Sequence, residues 1–154
     1  LFAIIDQHNE GIETERRVML DGVITRRGVV DLRSAVEAYV LPQAARLESA
    51  DGREFLSIVS QLVDFFDRWD DNRARTPSEA MRAFRLIESA LPTALPAALR
   101  RERVARFVEM VSESLGARAR RLPRTRRSPI DNRAYVDNLI DMAVGALSAP
   151  MSAR

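Results

Sequence analysis

Asn138-Leu-Ile-Asp-Met-Ala-Val-Gly-Ala-Leu-Ser-Ala-Pro150 reads as an apolar helix that a proline stops. Val136, Leu139, Ile140, Ala143 and Leu147 recur at three-and-four spacing, which puts them on one helical face. Ala143, Gly145 and Ala146 add little bulk, so another helix can come close. The stretch therefore predicts helix-on-helix packing, and it suits a subunit interface better than a catalytic site.

The pattern upstream repeats the same period. The first helix is expected from the start to about Arg27, with Phe2, Ile5, Ile12, Met19 and Val23 in an apolar row that Asn9 and Arg16 interrupt. Gly28 reads as its stop. Asp31 can cap a second helix carrying Val36, Tyr39, Val40 and Leu47, and Pro42 inside it predicts a kink. Asp51-Gly-Arg-Glu54 reads as a capping box for a third helix that runs on to Trp69. Thr76-Pro77-Ser78-Glu79 starts a fourth, which Pro92 ends. A fifth spans about Ala97 to Arg121, with Gly116 as a candidate early end. Ser128-Pro129-Ile130-Asp131 opens the last. No segment alternates as a strand does. The expected architecture is all-α, an antiparallel bundle of about six helices in a single domain, residues 1–154.

Composition narrows the classes. The 154 residues carry 24 basic side chains, all arginine, against 22 acidic ones. A net charge of +2 is too balanced to argue for nucleic-acid binding by this chain alone. Cysteine is absent, which removes disulfides and thiolate metal sites. No apolar run approaches the ~20 residues that span a bilayer, so a cytoplasmic protein without membrane contact is the expectation. The opening Leu1-Phe2-Ala3-Ile4-Ile5, without an initiator Met, predicts a preceding segment.

Four constellations carry candidate chemistry. His8, the sole histidine, lies near the apolar face of the first helix; one histidine without cysteine makes poor material for a zinc site. It reads as a boundary residue or a polar contact to a ligand. Asp64, Asp67 and Asp71 share a face and could hold a divalent cation, although carboxylates near a helix C-terminus are also an ordinary solvated surface. Arg118 to Arg127 reads as an arginine-rich loop, with no aromatic residue to stack a base. Tyr39, Phe55, Phe65, Phe66, Trp69 and Phe84 either fill a core or line a cavity; Tyr39 and Trp69 bring polar atoms that need partners when buried. Nucleophile elbows, phosphate loops and dinucleotide fingerprints are absent, so no enzyme and no cofactor are expected.

The order of helices, the opening Leu1-Phe2, the segment Ala38-Tyr39-Val40-Leu41-Pro42 and the closing Asp137 to Pro150 resemble the C-terminal regulatory domain of TetR-like transcriptional repressors. The resemblance covers essentially the whole chain. It implies a bacterial homodimer whose last two long helices pair with those of a partner. It implies a small hydrophobic effector enclosed by the helices before them, and a first helix that moves when the effector binds. The family's N-terminal helix-turn-helix, which would carry operator DNA binding, has no counterpart in these residues. The ligand-binding candidates are Tyr39, Phe55, Val59, Leu62, Phe66, Trp69 and Phe84, with His8 as a polar contact. Dimer-interface candidates are Val104, Phe107, Val111, Val136, Leu139, Ile140, Ala143 and Leu147. Spacing alone assigns these stripes equally to a core or to a partner subunit. Two other classes stay open, a metal-dependent helical enzyme built on Asp64, Asp67 and Asp71, and a helical protein-binding adaptor.

Overall fold

The computed structural model describes residues 2–23, 28–62, 78–122 and 128–152, without the side chains of 2–7 and 62. They form six α-helices and no strand: α1 (Phe2–Asp21), α2 (Leu32–Ala44), α3 (Ala50–Leu62), α4 (Ser78–Ala90), α5 (Ala97–Arg121) and α6 (Asn132–Ser148). A 3-10 turn, Ala45–Glu48, joins α2 to α3.

Local chemistry sets most of the helix ends. The Asp31 carboxylate accepts the Ser34 backbone N–H at 2.9 Å and opens α2. The Ser34 hydroxyl and N–H hold that carboxyl below its ordinary value. Pro42 stays inside α2 and fully buried, and past Ala44 the chain tightens into the 3-10 turn. The cap of α3 falls two residues before the expected Asp51, because Ser49 Oγ accepts the Gly52 N–H at 3.0 Å. Gly52 is required there: a Cβ would stand 2.2 Å from the Arg46 carbonyl oxygen. Asp131 rather than Ser128 caps α6, taking the Ala134 N–H at 2.7 Å. At the end of α1 the ladder closes through Gly22 N–H to the Met19 carbonyl at 3.0 Å. The helix therefore ends at Asp21, short of the expected Arg27. Gly28 does adopt the left-handed conformation, φ 70°.

α2 is the centre of the bundle. Ala35, Val36, Ala38 and Val40 are fully buried, and α2 packs against α1, α4 and α6. α3 lies along α5 at very short range. Gly116 permits that approach, since a Cβ there would meet Ser60 Oγ at 2.2 Å. Gly116 is thus a packing glycine and not an early end of α5, which continues to Arg121. Arg118, Arg120 and Arg121 form the last turn of α5, where cations favour the dipole, and not a loop. Residues 123–127 of the expected connector lie outside the described residues.

α5 and α6 run antiparallel. Arg103 donates to the Leu147 carbonyl at 2.8 Å, and the Tyr135 hydroxyl donates to the Ser114 carbonyl at 2.7 Å. No helix among the described residues is long and apolar enough to cross a membrane.

Candidate functional site

α1 approaches the bundle with a charge at its middle. Arg16 stands in the apolar row between Ile12 and Leu20, and its side chain is only 3% exposed. A buried guanidinium needs an anion and acceptors nearby. Glu13, one turn earlier, supplies the anion. The carbonyl of Tyr39 on α2 accepts from Arg16 Nη2 at 3.3 Å and from Gln43 Nε2 at 3.1 Å. The Tyr39 ring lies under the guanidinium, 4.8 Å from its carbon, in cation–π contact. Arg16 Nε, also buried, has no hydrogen-bond partner among the described residues.

Glu13 does a second job. Its other carboxylate oxygen accepts the Glu79 backbone N–H at 2.8 Å, so α1 caps α4. That is the service expected of Thr76, which lies outside the described residues with Pro77. Arg17 reaches Glu79 at 3.3 Å, and Arg82 bridges Asp21 at 2.8 Å. Arg46, in the 3-10 turn, pairs with Glu15. Charged groups thus bind α1 to α4 and to the 3-10 turn.

Tyr39 links this polar seam to the aromatic core. Its ring centroid is 5.2 Å from that of Phe84 and 5.4 Å from that of Phe107. Burial pushes its phenol above the ordinary value of 10.0, against the lowering influence of Arg16 and of hydrogen bonds from Gln43 and Ser112. The cluster joins α1, α2, α4 and α5 around a fixed positive charge. Arginine keeps its proton at any pH a protein meets, so Arg16 offers charge and hydrogen bonds and no proton transfer.

The expected ligand residues divide. Tyr39, Phe84 and Phe55 are buried, and Val59 is partly buried against the core. His8 is half-buried and its ring lies 5.0 Å from that of Phe55, on α3. The Leu62 side chain, Phe66 and Trp69 lie outside the described residues, as do Asp64, Asp67 and Asp71. No group of three or more metal-ligating side chains occurs among the described residues. Glu13, Arg16, Gln43 and Ser112 are the additions that structure makes. The only signal for them in sequence is Arg16, a charge on an apolar row.

The expected interface residues sit elsewhere than on a free surface. Val104, Phe107, Val111, Val136, Leu139, Ile140, Ala143 and Leu147 are all buried within this one chain, none more than 8% exposed. The stripe on each of these helices faces its own bundle, because an apolar row packs on the nearest apolar partner and α2 and α3 provide one. What α5 and α6 turn outward is different. Met142 is 56% exposed, and Gly145 and Ala146 lie exposed beside it. Between the two helices runs a groove of about 160 Å³ floored by Phe107, Met110, Ala146 and Leu147 and rimmed by Glu102, Arg103 and Arg106.

Comparison with known proteins gives no relative: no family model, no curated protein and no solved structure matches this chain.

Proposed function

We propose that this chain is the effector-sensing and dimerisation domain of a TetR-like transcriptional regulator, without enzymatic activity of its own. The observation that carries the reading is the way α1 is attached. α1 sets Ile12 and Leu20 into the core it shares with α2 to α6, and around these two it is joined to the bundle by ion pairs and one buried arginine. A signalling element must have two poses whose free energies differ by little. Directional polar contacts provide that, because water or a ligand can replace them.

A small hydrophobic effector entering beside Tyr39 and Phe84 would meet the seam directly. It acts by preferring one pose of α1, and couplings of about 1–3 kcal/mol are typical of such switches. The resemblance of the helix order to the TetR regulatory domain supports the same reading. In that arrangement a second copy covers the outward face of α5 and α6, and operator DNA is met only through a separate helix-turn-helix.

A paired readout tests it. Apolar small molecules are titrated while Trp69 emission is followed, and hydrogen exchange of α1 is measured at saturation. A molecule that changes the emission is expected to change exchange in α1. Saturated complexes whose α1 exchanges as in the free protein would refute a sensing role for this helix.

A further inference from the structure

α1 turns several rows of side chains toward the molecule at helical spacing, and each row meets a different partner. Ile12, Arg16 and Leu20 form the row that enters the core; Leu20 is fully buried, and the Arg16 guanidinium lies over the Tyr39 ring. Gly11 and Glu15 face Arg46: a Cβ on Gly11 would stand 3.4 Å from Arg46 Nη2, and Glu15 pairs with the same nitrogen. Glu13, Arg17 and Asp21 face α4, and their charges alternate, negative, positive, negative. α4 presents the complementary order. The Glu79 N–H in its first turn donates to Glu13 at 2.8 Å, the Glu79 carboxylate accepts from Arg17 at 3.3 Å, and Arg82 pairs with Asp21 at 2.8 Å.

The geometry points to a register lock: this charge order admits one axial position of α1 along α4, so α1 leaves α4 by swinging away and not by sliding. A slide of one helical turn, about 5.4 Å, carries each residue into the place of the one four positions on. In one direction it sets Glu13 on the Glu79 carboxylate and Arg17 on Arg82. In the other it sets Arg17 on the positive N-terminus of α4 and Asp21 on the Glu79 carboxylate. Either way like charges are opposed. The core row forbids the same step independently. It would bring the Arg16 guanidinium into the apolar place of Ile12 or Leu20, away from the Tyr39 carbonyl that accepts from it. One-turn ratchets of one helix past another are a known kind of switch, and this seam is built against them. The lock goes beyond the sensing role proposed above, because it holds with or without an effector.

Charge reversal with a distance readout tests it. The chain has no cysteine, so nitroxide labels on Val18→Cys in α1 and Ser89→Cys in α4, both exposed positions, report one distance by electron spin resonance. Hydrogen exchange of α1 is followed in parallel. The labelled parent is expected to show one distance. Asp21→Arg and Arg82→Asp each oppose like charges at one rung. Each should speed exchange in α1 roughly twofold to fivefold and widen the distance distribution without adding a second discrete distance. The double variant restores opposite charges and should recover most of that loss. The Asp21 and Arg82 side chains are 63% and 36% exposed, and circular dichroism is expected to show unchanged helix content. Single variants that exchange like the parent, or a double variant no slower than the faster single, would overturn the charge order as the lock. A second distance displaced by a helical turn, with α1 still protected, would overturn the single register. Variants that behave as expected while no apolar molecule alters α1 would refute the sensing role and leave the lock standing.

Discussion

Around the buried Ile12 and Leu20, α1 meets the molecule through Glu13, Glu15, Arg16, Arg17 and Asp21, whereas α5 meets it through Val104, Phe107, Val108, Val111 and Leu115. Both are long helices, yet the balance of forces that binds them differs. Apolar burial on α5 is non-directional and is lost only when water enters the whole interface. The ion pairs on α1 are local. Several are half-exposed, where water and salt compete with them and each contributes only about 0–1 kcal/mol. Described side chains of α1 that are fully buried and apolar come down to Ile12 and Leu20. The difference predicts that α1 opens at lower free energy than α5.

The largest expected effect breaks the α5 side. Leu115 is completely buried, so Leu115→Ala should cost about 2–5 kcal/mol of global stability. Chemical denaturation measures it, and every helix should be lost in the same transition. A loss confined to one element would show that α5 is not the shared core. Next comes the α1 side. Glu13→Ala leaves the Arg16 guanidinium buried without its anion and uncaps α4. A fully buried pair broken this way costs about 3–5 kcal/mol; with Glu13 at 15% exposure water offsets part of it, and ~2 kcal/mol is expected. Hydrogen exchange should rise in α1 and in the first turn of α4 together, while α5 stays protected.

The third test acts on the seam itself. Tyr39 has its phenol raised by burial, so the folded chain holds that proton more tightly than the unfolded chain does. Its contribution is complete below the unfolded value of 10.0 and is lost as pH rises from there toward the raised folded value. The slope approaches about 1.4 kcal/mol per pH unit at most. Tyr39→Phe should flatten that part of the stability profile, measured by denaturation between pH 9 and about 11.

Much of this fold is legible in the sequence. The apolar row of α6, the Asp31 cap and the order of helices are local signals, and local signals survive in sequence. Two features are not local. Glu13 caps a helix 66 residues away, and no window of sequence contains both partners. Stripe direction was the other. Val136, Leu139 and Ala143 read identically whether they face α2 or a partner, because periodicity marks a buried face and not the body that buries it. The candidate site suffered from both. Size marks Tyr39 and Phe84 as candidates in the sequence, while Arg16 reads there as an interruption of a row it belongs to.

Native-state hydrogen exchange of the unmodified chain, followed by mass spectrometry under mild denaturant, weighs the central contrast most directly. Amides of α1 are expected to open by a partial unfolding at clearly lower free energy than those of α5, whose exchange follows the global transition. Equal opening energies for the two helices, both tracking global unfolding, would contradict an α1 held apart from the bundle it lies on.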